Sequence, residues 1–211
     1  METVTELLHE EALFIPSENG TADGSTYTPK VEGDYLGHIT DTRTLVREFK
    51  TKEGRNVKAR IFNYKVHVAQ ENSAREYTYT DRNGTEHKTS GEPYVGWTVN
   101  GRGIFRFLEP KDGDTFESNS ENNVAYLRFC QALGLTIETA KRDVNGKTVD
   151  VQILPTLTED DINGRPVIAV VGRDKDWINS DGESMPSWKI KYVKLWKDGK
   201  RLASTAHDLP F

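Results

Sequence analysis

From Val57 to Val68 the chain is dense in β-branched and aromatic residues interleaved with polar ones, and neither glycine nor proline interrupts it. Branched side chains crowd the preceding turn of a helix but pack well on a pleated surface, so this run is committed to a long strand. Lys52-Glu53-Gly54-Arg55 just before it offers a turn, and Thr44 to Phe49 offers a partner, which predicts a long antiparallel hairpin. Tyr35 to Ile39 reads as a strand ahead of it. Glu76 to Thr80 followed by Asp81-Arg82-Asn83-Gly84 predicts a second, protruding hairpin, because Asn-Gly suits a tight type I′ turn. Tyr94 to Val99, Asn100-Gly101 and Ile104 to Leu108 read as a third, and Pro166 to Val171 and Trp188 to Trp196 as later strands. One helix stands among them: Asn119 or Ser120 is placed to cap it, Val124, Leu127 and Leu133 give it an inner face, and Gly134 is placed to end it. The expected fold is mainly β, a small closed or partly closed barrel with hairpin insertions and one central helix.

The remaining segments set the limits of that body. Thr3 to Phe14 carries Val4, Leu7, Leu8 and Ala12 at helical spacing and stops at Pro16, so residues 1–32 read as a short amphipathic helix and a flexible arm. That helix is suited to contacts between protomers or to docking on its own body. Residues 33–197 form the expected folded domain and 198–211 a short tail. Thr158-Glu159-Asp160-Asp161 reads as an acidic helix start whose carboxylates cap rather than bind metal. Cys130 is the lone cysteine, which leaves no internal disulfide or thiolate cluster and favours a reducing cytoplasm. No apolar stretch approaches the length of a membrane helix.

A net charge of −5 argues against a surface that coats nucleic acid everywhere, yet the charges are segregated. Arg43, Arg47, Lys50, Lys52, Arg55, Lys58, Arg60 and Lys65 face only Asp41, Glu48 and Glu53 in their stretch, and Lys189 to Arg201 is a second basic segment. In the long strand, alternation puts Val57, Ala59 and Ile61 on one face and Lys58, Arg60, Phe62 and Tyr64 on the other. Cations beside rings suit single-stranded nucleic acid, whose phosphates follow the charge while unpaired bases stack on the aromatics. The same alternation arises if Phe62 and Tyr64 cover a second apolar layer while Lys58 and Arg60 reach outward along it. Arg43 and Arg47 share a strand face with Leu45 and Phe49. Lys189 and Lys191 extend the basic surface opposite Trp188, Ile190, Tyr192 and Trp196. Tyr77 and Tyr79, beside a hairpin tip, are placed either to close over a bound strand or to pack across the hairpin. Trp97 and Trp177 fit both core and base platform.

The chain ends in Asp208-Leu209-Pro210-Phe211. A ring, a main-chain carboxylate and an acid, with Pro210 limiting the backbone to extended shapes, suit capture in a hydrophobic notch lined by Lys or Arg. An apolar end packed on the body fits the same residues. The tetrapeptide resembles the Asp-Ile-Pro-Phe terminus of bacterial single-stranded DNA-binding proteins, which in that family recruits replication and repair enzymes; Leu209 replaces the isoleucine, and Ala206-His207 stands where that family has further acids. The likeness widens inside the chain. A strand hairpin with a glycine turn, the helix segment Tyr126-Leu127-Arg128-Phe129-Cys130-Gln131-Ala132-Leu133-Gly134-Leu135, Asn163-Gly164-Arg165-Pro166-Val167 and the final Lys-rich strand resemble a phage protein family associated with single-stranded DNA binding. That resemblance implies a five-stranded OB-fold-like barrel whose groove holds the strand, with Asn72 to Glu92 inserted. It further implies a protein that protects single-stranded DNA during phage replication, recombination and repair and recruits partner proteins through Asp208, Leu209, Pro210 and Phe211. The alternative expectation is a structural or protein-interaction module, such as a virion component.

Catalytic patterns are sparse. Gly101-Arg102-Gly103 precedes a strand rather than a helix, so it is a turn and not a phosphate loop. His9, His38, His67, His87 and His207 are scattered, without a pair at metal-ligand spacing, and no nucleophile elbow occurs. The expectation is a nonenzymatic protein without metal or cofactor.

Overall fold

The computed structural model describes residues 29–50, 54, 56–81, 83–111, 115–117, 123–144 and 146–203. Contacts group the chain from Val31 onward into one unit. Its strands are β1 (Gly33–Lys50), β2 (Asn56–Val68), β3 (Glu76–Thr80), β4 (Glu86–Ser90), β5 (Thr98–Asn100), β6 (Ile104–Lys111), β7 (Thr115–Glu117), β8 (Thr139–Val144), β9 (Lys147–Gln152), β10 (Pro166–Ile178) and β11 (Ser184–Leu195). The helices are α1 (Val124–Ala132) and the short α2 (Glu159–Ile162). The protein is therefore mainly β. Among the described residues no helix is long and apolar enough to cross a membrane.

β1 organises the main sheet. Gly33 to His38 pair with β10 and Gly37 to Lys50 with β2, both antiparallel, within a seven-stranded sheet of order β11-β10-β1-β2-β6-β7 to which β5 adds beside β2. The two expected strands Tyr35 to Ile39 and Thr44 to Phe49 are thus one strand, bent by a bulge. The register steps from Thr40↔Lys65 to Arg43↔Asn63, and Asp41 takes φ +48°, a conformation that Asp tolerates better than most residues. Two main-chain donors freed there are claimed from across the fold: Asn163 Oδ1 accepts from Thr42 N at 3.1 Å, and Glu159 Oε1 from Thr44 N at 2.7 Å. Asp161, meanwhile, closes a capping box with Thr158. The acidic run is a set of caps, and it fixes the bend. Replacing Glu159 and Asn163 together by alanine is expected to cost about 1–3 kcal/mol, read as a lower urea midpoint with faster amide exchange at Thr42 and Thr44.

The expected five-stranded barrel is not closed. Among the described residues no continuous ladder joins the sheet's ends; an isolated parallel bridge, Gly101↔Ile190, links the residue after β5 to β11. The expected third hairpin is also revised, because β5 and β6 each pair with β2 rather than with one another. Glu92–Tyr94 forms a 3-10 turn with Pro93 near its start instead of a strand, and Gly101 lies so close to the Tyr64 ring that an added Cβ would sit 2.5 Å from it.

α1 seals the inner side of the sheet. Tyr126 stacks on Phe62 at 5.8 Å and Phe129 meets Tyr64 at 5.3 Å, while Cys130 is buried, its thiol pushed up to about 11 by desolvation. Asn119 and Ser120 lie outside the described residues. Asn123 occupies the N-cap position, but its side chain faces β6, accepting from Phe107 N at 2.8 Å and donating to Phe107 O at 3.0 Å. Gly134, at φ +74°, ends the helix as expected. Its N–H reaches Gln131 O and that of Leu135 reaches Cys130 O, the paired bonds of a Schellman motif.

The insertion after β2 is rooted in the core. Asn72 is wholly buried; its Oδ1 accepts from Leu36 N and the Tyr77 hydroxyl, and its Nδ2 donates to Leu36 O and Ala69 O. The β3–β4 ribbon rises from this anchor, and Tyr77 stacks on Tyr35 at 4.5 Å. β8 and β9 form a second two-stranded ribbon.

Candidate nucleic-acid interface

Where β1, β2 and β6 run side by side, their register sorts residues onto two faces. Leu45, Arg47 and Phe49 lie opposite Ile61, Ala59 and Val57, which continue into Phe105 opposite Ile61 and Phe107 opposite Ala59. This ring face carries Arg43, Leu45, Arg47, Phe49, Phe105 and Phe107 around small or branched residues of β2 that are themselves buried. Phe105 and Phe107 stack at 5.8 Å and 16°, and Phe49 leans on Phe105 at 6.1 Å. Leu45 is 43% exposed and Phe49 37%, so part of this aromatic surface meets solvent. Arg43 pairs with Asp41 at 3.3 Å; Arg47 is exposed with no acidic partner among the described residues. The expected sharing of one face by Arg43, Arg47, Leu45 and Phe49 is the arrangement found.

The other face of β2 revises the sequence reading. Lys58 and Arg60 do share it with Phe62 and Tyr64, but Phe62 and Tyr64 are buried under α1. Burial drives the Tyr64 phenol far above its ordinary range. Neither ring can meet a base. The buried side of β2 changes between Ile61 and Phe62, which are both buried. Lys58 is tied to Glu48 at 3.2 Å.

Tyr77 and Tyr79 also leave the site. Tyr77 is core, donating to Asp34 O and Asn72 Oδ1, and Tyr79 stacks on its cross-strand partner His87 at 5.2 Å. Lys189 pairs with Asp174 at 2.8 Å and Lys191 donates to Arg173 O at 2.5 Å, so both brace the β10–β11 hairpin. A register shift at Lys191 turns Tyr192 outward, 53% exposed, away from the core face held by Ile190. Of the two ambiguous tryptophans, Trp97 packs against the core and Trp177 stands exposed near the end of β10. Asp208, Leu209, Pro210, Phe211 and the Thr3 to Phe14 helix lie outside the described residues.

The comparisons with known proteins leave the geometry to speak for itself. No family model, curated protein or solved structure matches this chain. What the sequence reading missed is the pair Phe105 and Phe107, and a signal was there: in Ile104 to Leu108 the two rings alternate with Arg106, the same cation-and-ring spacing noticed in β2.

The ring face is tied to the β10–β11 hairpin through charge. Arg102, just before β6, pairs with Asp174 at 3.1 Å, and Asp174 pairs in turn with Lys189. The Lys189 ammonium and a backbone donor hold the Asp174 carboxyl down at about 2. Arg43 and Arg47 stand at the border of the rings.

Proposed function

We propose that this protein binds single-stranded DNA on the ring face of β1, β2 and β6. The observation that carries the reading is the partly exposed group Phe49, Phe105 and Phe107 beside Arg43 and Arg47. Unpaired bases stack on such rings while cations follow the phosphates; duplex bases are already stacked and gain little. The strand layout supports the finer reading of the body as an opened five-stranded OB-fold-like barrel. β1 pairs on both sides, α1 falls between β6 and β10 in sequence, and the Gly101↔Ile190 bridge lies where closure would complete the ring. In this reading the protein protects single strands during phage replication, recombination and repair in the host cytoplasm, and the Asp208 to Phe211 tip recruits partner proteins.

Anisotropy with a labelled oligonucleotide and its duplex, titrated over salt, tests the proposal. The single strand is expected to bind more tightly, with log K falling linearly as log salt rises, because displaced counterions return to bare phosphates. Equal affinity for both forms, or none for either, would sink it. A protein-interaction module is the second reading, favoured by one observation: Trp177 and Ile178 are 54% and 73% exposed at the end of β10, with Met185 across from Trp177.

A further inference from the structure

On the face opposite the rings, β2 and β6 set Arg60 directly across from Arg106. Directly opposed side chains leave the sheet about 5 Å apart at Cβ, so two positively charged side chains start out as neighbours. Lys58, further along the same face, is a third cation, and the nearby carboxylate of Glu48 is already engaged by it. Neither arginine has a carboxylate partner among the described residues.

Arg106 is also held in place. Its Nη1 donates to Thr156 Oγ1 at 3.0 Å, and its guanidinium lies 5.7 Å from the centre of the Tyr126 ring. Its Nε–H is buried and has no acceptor. An arginine cannot shed its proton to escape this. Two costs therefore stand together: repulsion between like charges and a charged donor without a partner. A water molecule would satisfy the donor and leave the repulsion. A group with several anionic oxygens offsets the repulsion, and the planar guanidinium fork matches phosphate in a two-pronged way.

We propose that Arg60, Arg106 and the Thr156 hydroxyl form a phosphate-binding site on the side of the sheet away from the rings. Arg60 and the Nη groups of Arg106 supply charge and donors. Thr156, accepting from Arg106 Nη1, keeps its own proton to donate. The site does not rest on the ring-face reading, since it stands on different residues and the opposite side of the sheet. Its phosphate comes either from the backbone of a bound strand or from a free phosphate.

The test uses the full chain, inorganic phosphate as probe, and Arg60→Gln, which removes a charge with no carboxylate partner to lose. In chloride alone, Arg60→Gln is expected to melt no lower than the wild type, because repulsion is relieved. Phosphate at about ten times its dissociation constant, at matched ionic strength, is expected to raise the wild-type melting temperature by about 3–6 °C and that of the variant by clearly less. Arg106→Lys, which keeps the charge and loses the fork, is expected to respond weakly too. A second arm asks which phosphate is bound. If Arg60→Gln also flattens the salt slope of single-stranded DNA binding by about one, the ligand is a phosphodiester; if the slope is unchanged while the melting response falls, it is a free phosphate. Equal phosphate responses in wild type and Arg60→Gln overturn the site.

Discussion

Phe105→Ala with Phe107→Ala is expected to weaken single-stranded DNA binding by about 100-fold. Each base stacked on an aromatic ring contributes about 1–3 kcal/mol, and every 1.4 kcal/mol is tenfold in affinity. Two independent stacks would exceed that figure. These rings, however, lie 5.8 Å apart and nearly parallel, so they share one platform and their losses overlap. Phe49→Ala, which removes the tilted neighbour, is expected to cost less than the pair. The control is Val46→Ala: Val46 is exposed on β1, opposite Arg60 and therefore away from the rings, and binding should not change. Anisotropy reads the affinities, and an unchanged melting temperature shows that the sheet survives. A folded double variant that binds as the wild type does would remove the ring face from the proposal.

The largest stability effect belongs to Asn72→Leu. The substitution keeps the number of side-chain heavy atoms and strands Leu36 N–H, while Leu36 C=O, Ala69 C=O and the Tyr77 hydroxyl each lose one bond and keep Ala69 N–H, Asn72 N–H and Asp34 O. Leaving a buried donor unpaired costs about 1–3 kcal/mol and each of the other lost bonds about 0.5–1.5 kcal/mol, so a loss of at least about 2 kcal/mol is expected. Domains of this kind hold about 5–15 kcal/mol in total, so the variant gives up a large share of its stability. Gly91→Ala attacks the same joint from the other side, since its Cβ would fall 1.8 Å from Asn72 O, a main-chain atom that cannot rotate away. Urea unfolding provides the measurement. A shift in midpoint worth less than about 1 kcal/mol for Asn72→Leu would show that Leu36 N–H finds another partner.

How much of this was legible in the sequence depended on the distance over which each feature is decided. Local chemistry read correctly: Gly134 ends α1, Asn83-Gly84 turns β3 into β4, and the carboxylate of Asp161 is a cap. The alternation in β2 was also read correctly as a pattern. Which of its faces is inside stays open between the two readings of the alternation, and the buried side switches between Ile61 and Phe62, with α1 over Phe62 and Tyr64. The alternation alone offers Phe62 and Tyr64 as base platforms as readily as core rings, and it gives no weight to Phe105 and Phe107. Their neighbours Ile61 and Ala59 are more than forty residues away in sequence, and only strand register brings them together. Bulges hide in the same way. The extra residue at Asp41 is held by Asn163 and Glu159 from beyond α1, and the shift at Lys191 turns Tyr192 outward. The β8–β9 ribbon had a local signal, Asn145-Gly146, the same dipeptide that marks the β3–β4 turn.

The double pairing of β1 also sets a timetable. β2 follows β1 within a few residues, whereas Gly37, which pairs with Val68, waits for Val167, about 130 positions later, before its other edge is covered. At a synthesis rate of about 5–20 residues per second, that interval lasts roughly 7–25 s. During it the hairpin of β1 and β2 presents an open row of main-chain donors and acceptors to whatever else is nearby. A refolding chain meets the same obstacle as a long loop to close, which places this protein among slow folders, in milliseconds to seconds rather than microseconds.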